Sequence, residues 1–326
     1  MAKTQFFCAD HSRQSGVDII GSASEHEVYI AIACPPPWAS DELESEFVPD
    51  NLRELIEEVD EEYDRFQTRF LFIHNENLKQ DGTCLLIFRK QLGLSNSYTK
   101  QEFRLADIQA VAPLVKHYLI GEPLDATPTD VPTRDILICT HGSRDRCCAR
   151  FGNPLYHQAL KIVDERSLNR VRIWQASHIG GHRMAPTAVT FPDARYYGYL
   201  SPAALESILT RTGDIQCLSN IYRGWGVLSW AVQVVEKQLL LTHGWDWFDY
   251  KATARVIEHN EDETYNRVEL TYETPEGEQQ TYQADVVADR INTVYLKGSC
   301  KSEKESEVIP YIVKNLTQVQ PLETVK

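Results

Sequence analysis

No Cys-x-x-Cys pair occurs anywhere in this chain of 326 residues, although it holds eight cysteines. That absence argues against a zinc knuckle, which takes its thiolates from a tight turn. It argues equally against thioredoxin-type dithiol chemistry, where a neighbouring thiol resolves the mixed disulfide. No apolar run approaches the roughly 18–20 residues of a membrane span. The opening Met1-Ala-Lys-Thr-Gln-Phe-Phe-Cys8 has no apolar stretch of signal-peptide length, so a cytoplasmic location with reduced thiols is expected. Flavin and nicotinamide fingerprints are missing too, because no glycine-rich turn joins a strand to a helix in the required spacing. A hydrolase finds no support: there is no Gly-x-Ser-x-Gly elbow and no paired-carboxylate signature. Positive charge is in deficit, with a net charge of −14. Such a surface repels phosphate backbones and excludes nucleic acid as a natural partner.

What is present is an ordinary globular composition, 42% hydrophobic and 10% aromatic, in a chain long enough for two or three domains. The run 27–38, Glu-Val-Tyr-Ile-Ala-Ile-Ala-Cys-Pro-Pro-Pro-Trp, is an apolar strand stopped by prolines. Residues 49–63 place Leu52, Leu55, Ile56 and Val59 at helical spacing, with acids on the other face. Strands are expected over 70–74 and 84–90, and a helix over 105–119. A proline- and threonine-rich linker, 122–133, follows. The order then returns: strand 135–139, helix 154–167, strands 171–176, 188–192 and 196–199, and a Ser201-Pro202-capped helix through residue 212. Strand, helix, strand, strand, helix is the core order of a thioredoxin-like domain. The first strand of each half ends in a cysteine before a special loop, Cys34-Pro-Pro-Pro-Trp38 and Cys139-Thr-His-Gly-Ser143.

The expected fold class is therefore α/β, with two tandem thioredoxin-like domains, each a mixed sheet flanked by helices. A C-terminal helix and a small β-rich module complete it. In this reading residues 1–121 form a degenerate domain without metal, 134–218 form the metal-bearing domain, and 219–326 form the C-terminal part. That last part has a buried helix over 226–242, strands over 252–258, 267–273, 280–287 and 293–296, and no assignable chemistry. Cys84, Cys217 and Cys300 read as packing residues, and Cys8 and Cys34 as structural.

The chemistry is concentrated in Cys139-Thr-His-Gly-Ser-Arg-Asp-Arg-Cys147-Cys148 and in Ser177-His178-Ile-Gly-Gly-His182. Two soft thiolates with two imidazoles suit zinc or an iron–sulfur cluster. Eight residues separate Cys139 from Cys148, a loop long enough to wrap an object larger than one ion, which favours a 2Fe-2S cluster. Gly142 and Gly152 are expected to let the loop bend, and Arg144, Arg146 and Arg150 to favour the thiolate form of its cysteines. Gly180 and Gly181 oppose a helix between the two histidines. Neighbouring residues rarely bind one iron together, so one of Cys147 and Cys148 is a ligand and the other packs beside it. His141, Arg144, Cys147, Gly180, Gly181 and Arg183 are expected to surround the four donors, His141 by hydrogen-bonding the loop.

Cys-x8-Cys followed by His-x-Gly-Gly-His, with Gly-Ser-Arg-Asp inside the first spacing, resembles the sucrase/ferredoxin-like family. The texts Phe7-Cys8-Ala-Asp-His-Ser-Arg13 and Cys34-Pro-x-Pro-Trp38 are similar to that family's N-terminal half. The resemblance implies a thioredoxin-like ferredoxin whose 2Fe-2S cluster has Cys139 and Cys148 on one iron and His178 and His182 on the other, with Cys147 a bystander. It implies one-electron transfer, fed by a separate reductase and delivered to an acceptor the sequence does not name. Two rivals stand beside it: a zinc-stabilised thioredoxin-like binding module, and a thiol oxidoreductase using Cys147 or Cys148.

Overall fold

Strands that are apolar on both sides must be covered on both sides, and the arrangement of the two halves follows from that requirement. The structure, a computed structural model, describes residues 5–78, 82–129 and 131–319. Residues 1–4, residue 130 of the expected linker and residues 320–326 of the C-terminal part lie outside the described residues.

In chain order the first half runs α1 (Cys8–Ser15), β1 (Val28–Ala33), α2 (Asp50–Glu61), a single further turn α3 (Tyr63–Phe66), β2 (Thr68–His74), β3 (Thr83–Lys90), β4 (Tyr98–Leu105) and α4 (Val111–Ile120). The second runs β5 (Arg134–Cys139), α5 (Arg146–Glu165), β6 (Val171–Ala176), β7 (Ala188–Phe191), β8 (Arg195–Tyr197) and α6 (Pro202–Thr210). Each half pairs its first two strands in parallel, then adds an antiparallel third strand beside the first and an antiparallel fourth beyond that. The connectivity is therefore repeated strand for strand. β2 and β6 join the halves edge to edge through Ile73 opposite Ala176 and His74 opposite Gln175. With β9 (Tyr222–Trp225) on β8, one nine-stranded sheet results, in the order β4-β3-β1-β2-β6-β5-β7-β8-β9.

The sheet folds back on itself at the β2–β6 joint, and alternate residues of the central strands enter different cores. Val28, Ile30 and Ile32 pack with α2 and α4. Ile136 and Ile138 pack with α5 and α6. The intervening Tyr29, Ala31, Leu137 and Cys139 share a third core built from both halves, with Trp174, Val189 and Phe191. Helix, sheet, sheet, helix is thus the layering. Buried ion pairs stitch the inner faces: Lys100 meets Asp135 at 2.6 Å, and Arg172 reaches Glu102 at 2.8 Å and Asp135 at 2.7 Å.

The C-terminal part consists of α7 (Trp230–His243), β10 (Lys251–His259), β11 (Tyr265–Glu273), β12 (Gln279–Ala288), β13 (Val294–Lys297), β14 (Glu305–Val308) and β15 (Tyr311–Val319). β10, β11, β12 and β15 form an antiparallel sheet, and β13–β14 a separate hairpin. Helix α7 begins at Trp230, not 226, because residues 222–225 extend the large sheet. It lays Val232, Val235 and Leu239 into the second half's core, beside Val268, Leu270 and Tyr272 of β11.

Helix α5 starts at Arg146, eight residues before the expected 154, and carries Pro154 inside it. Asp145 supplies the cap, its carboxylate accepting the Cys147 N–H at 2.9 Å. Cys147 and Cys148 therefore stand on the first helical turn, not in a free loop.

Candidate metal centre

Ligands in open α/β sheets gather beyond the carboxyl ends of parallel strands, and the candidate donors do so here. Cys139 is the last residue of β5, and His178 follows the end of the adjacent β6. Cys148 is presented from the first turn of α5. The Sγ atoms of Cys139 and Cys148 lie 3.9 and 3.8 Å from the same atom, Nδ1 of His178. These three donors all fall within 4.8 Å of one another. His182 stands beyond them, with its Nδ1 3.4 Å from Nε2 of His178 and the two rings 5.1 Å apart.

The histidine turn is held from both sides. Gly180 and Gly181 take φ of +82° and +77°, left-handed backbone that a side chain would strain. At Gly181 a Cβ would also stand 2.9 Å from the buried Arg223 guanidinium, which donates to the Gly180 carbonyl at 3.2 Å. Arg69 donates to the His178 carbonyl at 2.7 Å. Ser177 N–H reaches the Phe72 carbonyl at 2.8 Å, and Ser177 Oγ accepts the Phe72 N–H at 3.1 Å.

The first half contributes none of the four donors but builds the wall against which they sit. His141 donates through Nε2 to the Ala39 carbonyl, and Ser143 Oγ to the Trp38 carbonyl. The Cys34–Trp38 loop and Ala39 are thus the seat of the 139–148 segment, and His141 fastens it to the first half and not within its own loop. Arg144 and His178 line a cleft of about 250 Å³ together with Asp41, Glu42, Asp60 and Arg69. Arg183, half-buried, follows His182 on the same turn.

Close packing, not a free bend, shapes the 139–148 loop. Gly152 does not bend it: a Cβ there would meet the Cys139 carbonyl oxygen at 2.0 Å, so this glycine lets α5 close onto the end of β5. Gly142 likewise clears the Ala149 side chain. Nor do the arginines chiefly polarise the thiols, since Arg144, Arg146 and Arg150 are exposed. The Cys139 thiol is held well below its ordinary value by a hydrogen bond from Cys148, and burial opposes this less than Cys148 and the His178 ring together favour it. Cys148 is correspondingly pushed up by Cys139 and by burial. Burial lowers His182, keeping its imidazole neutral and available as a donor.

Cys147 points away from these groups. Its Sγ lies 3.5 Å from that of Cys8 and 3.3 Å from that of Cys300. Cys8, expected to be structural, and Cys300, expected to be a packing residue in a part without assignable chemistry, thus share a thiol cluster. No spacing could have joined positions 8, 147 and 300, which meet only through tertiary packing. Cys34 and Cys84 do behave as core thiols, each raised by burial to about 12.

The model of the sucrase/ferredoxin-like family matches residues 19–224. Two curated relatives are similar over shorter stretches, both named altered inheritance of mitochondria protein 32. The protein from Meyerozyma guilliermondii is 31% identical over 103 residues, 29% of this chain and 36% of its own length. That from Debaryomyces hansenii is 31% identical over 109 residues, 31% of this chain and 39% of its own. The chain thus spans well under half the length of these relatives. Among solved structures, a thioredoxin-like [2Fe-2S] ferredoxin from Aquifex aeolicus is 16% identical, covering 24% of this chain and 78% of that one, with a TM-score of 0.22. Its Cys55Ser variant is 17% identical, covering 24% of this chain and 84% of that one, with a TM-score of 0.21.

Proposed function

The chain belongs to the sucrase/ferredoxin-like family, and on that footing we propose that it is a one-electron carrier. In this reading Cys139 and Cys148 hold one iron of a 2Fe-2S cluster, and His178 and His182 hold the other. The observation that carries it is the donor set: two buried thiols and an imidazole within 4.8 Å of one another, with a second imidazole adjoining. Two thiols with two ring nitrogens fit such a cluster chemically. Bound there, the cluster would take up and release one electron.

The rest of the work falls to the chain. Arg69 and Arg223 fix the backbone of the histidine turn, so the imidazoles need not reorganise when charge changes. Neutral imidazoles in place of two thiolates leave the site less negative. Its potential should therefore lie nearer the roughly −150 to +300 mV of Rieske centres than the about −400 mV of all-cysteine plant-type clusters. Each ring nitrogen that does not bind iron can hold or release a proton. Oxidation acidifies that proton, so reduction takes one up at high pH and the midpoint potential falls as pH rises. A potential that stays constant between about pH 6 and 10 would contradict imidazole ligation.

A separate reductase and an electron acceptor are the partners this reading requires. The acidic surface favours a basic docking face on them and disfavours nucleic acid. No helix among the described residues is long and apolar enough to cross a membrane. The reading includes a cytosolic location, where eight unpaired thiols stay reduced.

Iron, zinc and acid-labile sulfide content of anaerobically purified protein tests the proposal. About two irons and two sulfides per chain, with a visible spectrum that bleaches on reduction, is the expected result. Zinc alone at Cys139, Cys148 and His178, with no sulfide after attempted reconstitution, would overturn it and leave a binding module.

A further inference from the structure

Three thiols far apart in sequence meet beside the candidate cluster site, and nothing in the electron-transfer reading uses them. Cys8 comes from the first turn of α1, Cys147 from the first turn of α5, and Cys300 from the loop of the β13–β14 hairpin. Their Sγ atoms form a near-equilateral triangle with edges of 3.3, 3.5 and 3.6 Å. Asp145, fully buried, completes the group with Oδ1 3.9 Å from Cys8 Sγ. We propose that Cys8, Cys147, Cys300 and the Asp145 carboxylate hold a single zinc ion that clamps α1 and the β13–β14 hairpin onto the first turn of α5, which also carries Cys148.

The geometry favours an ion over a disulfide. A disulfide joins two sulfurs at about 2.05 Å and leaves the third out, whereas here no pair is singled out. A zinc ion about 2.3 Å from each thiolate in a tetrahedron spaces the sulfurs at roughly 3.8 Å, a small expansion of the observed triangle. The carboxylate has capacity to spare. Its two oxygens accept one backbone N–H each, from Cys147 and Cys300, both at 2.9 Å, and a carboxylate offers about four lone-pair positions.

The surroundings suit thiolates. Ala9 N–H points at Cys147 Sγ and Cys8 N–H at Cys300 Sγ, each at 3.4 Å, and such donors stabilise sulfur-borne charge. Phe7, Phe151 and Ala185 give the group an apolar cover. Three sulfurs and one oxygen favour zinc over magnesium or calcium, and four protein ligands make a closed, structural site. Cys8 and Cys300 both lie outside the 19–224 stretch that defines the family match. The site also gives a role to Cys147: with Cys148 facing the cluster donors, the adjacent pair serves two centres from one helical turn.

The test is metal analysis of the full chain and two variants. Zinc is expected in the isolated protein, retained in Cys139→Ser, which loses iron and sulfide, and lost in Cys300→Ser, which keeps them. Cys300 sits in a half-buried hairpin loop, so its substitution is the mildest of the three. If that variant fails to fold, cobalt(II) is titrated into the Cys139→Ser chain after its zinc is removed by chelation. Strong thiolate-to-cobalt absorption with tetrahedral d–d bands is then the expected signal. The proposal is overturned if zinc disappears with Cys139→Ser and persists with Cys300→Ser. It is also overturned if cobalt gives no thiolate band, or if anaerobic protein contains a disulfide among Cys8, Cys147 and Cys300. Because the variants report the two centres separately, absence of iron with zinc retained would reject the electron-transfer reading alone.

Discussion

Single residues decide how the fold responds to pH. His26, just before β1, donates or accepts at Nδ1 with the Tyr63 hydroxyl at 2.8 Å and packs edge-on against Tyr29. Burial, with the positive charge of Arg69, lowers it to about 4. An unfolded histidine near 6.5 binds more protons than this one throughout the interval between the two values. Stability therefore rises with pH across that window and is lost as pH falls from about 6.5 towards 4. The melting temperature should drop between pH 7 and pH 5, and His26→Gln should flatten that drop while keeping a partner for Tyr63. An unchanged pH profile in the variant would show that other groups carry the acid sensitivity. The same scale explains why His178 and His182 were legible from sequence and Cys300 was not. The histidines flank two glycines in one turn, a local pattern with a local cause, whereas Cys300 acquires its neighbours only when the hairpin docks.

At the scale of elements, the apolar strands announced themselves and the polar one did not. β1 and β5 read as Val-Tyr-Ile-Ala-Ile-Ala and Arg-Asp-Ile-Leu-Ile-Cys, covered on both faces. β4, Tyr-Thr-Lys-Gln-Glu-Phe-Arg-Leu, has the composition of an exposed segment, yet its Glu102 is buried because Arg104 and Arg172 neutralise it. Charge pairing across the folded sheet is invisible to a single-strand pattern, and so was the face-to-face packing of the half-sheets. The start of α5 was missed because Pro154 read as a first-turn residue, while the true cap, Asp145, lay inside the metal motif. The close contact between α5 and β5 makes a sharp prediction. Gly152→Ala would drive a methyl group into the Cys139 carbonyl, and overpacking of this kind costs about 1–3 kcal/mol. The melting temperature should fall by several degrees and bound iron should decrease, since Cys139 must move. Gly180→Ala meets open space and should cost only the roughly 1 kcal/mol of left-handed backbone. Equal effects of the two would show that the α5–β5 approach is not what shapes the site.

For the whole molecule, the repeat divides the labour. The second half supplies the four donors, the first seats their loops, and the C-terminal part completes the core of the second. Glu236 of α7 pairs with Arg195 of β8 at 2.8 Å, both fully buried, and Arg195 lies between the rings of Trp225 and Phe248. A chain ending at residue 225 would take Glu236 from that guanidinium and leave it only the Tyr222 hydroxyl at 2.7 Å and the Asp193 carboxylate at 3.9 Å, a loss of up to about 3–5 kcal/mol, and would strip α7 from the core. It should be insoluble or lack near-ultraviolet circular dichroism, and a soluble product with native-like signals would show that α7 is dispensable. All these parts converge on one turn carrying two imidazoles beside two thiols. Pulsed electron paramagnetic resonance of the reduced protein tests that convergence most directly. The account predicts a reduced 2Fe-2S signal with two strongly coupled imidazole nitrogens, both lost when His178 and His182 are replaced. A cluster signal without nitrogen coupling, or a protein that gives no cluster signal after reconstitution and reduction, would contradict it.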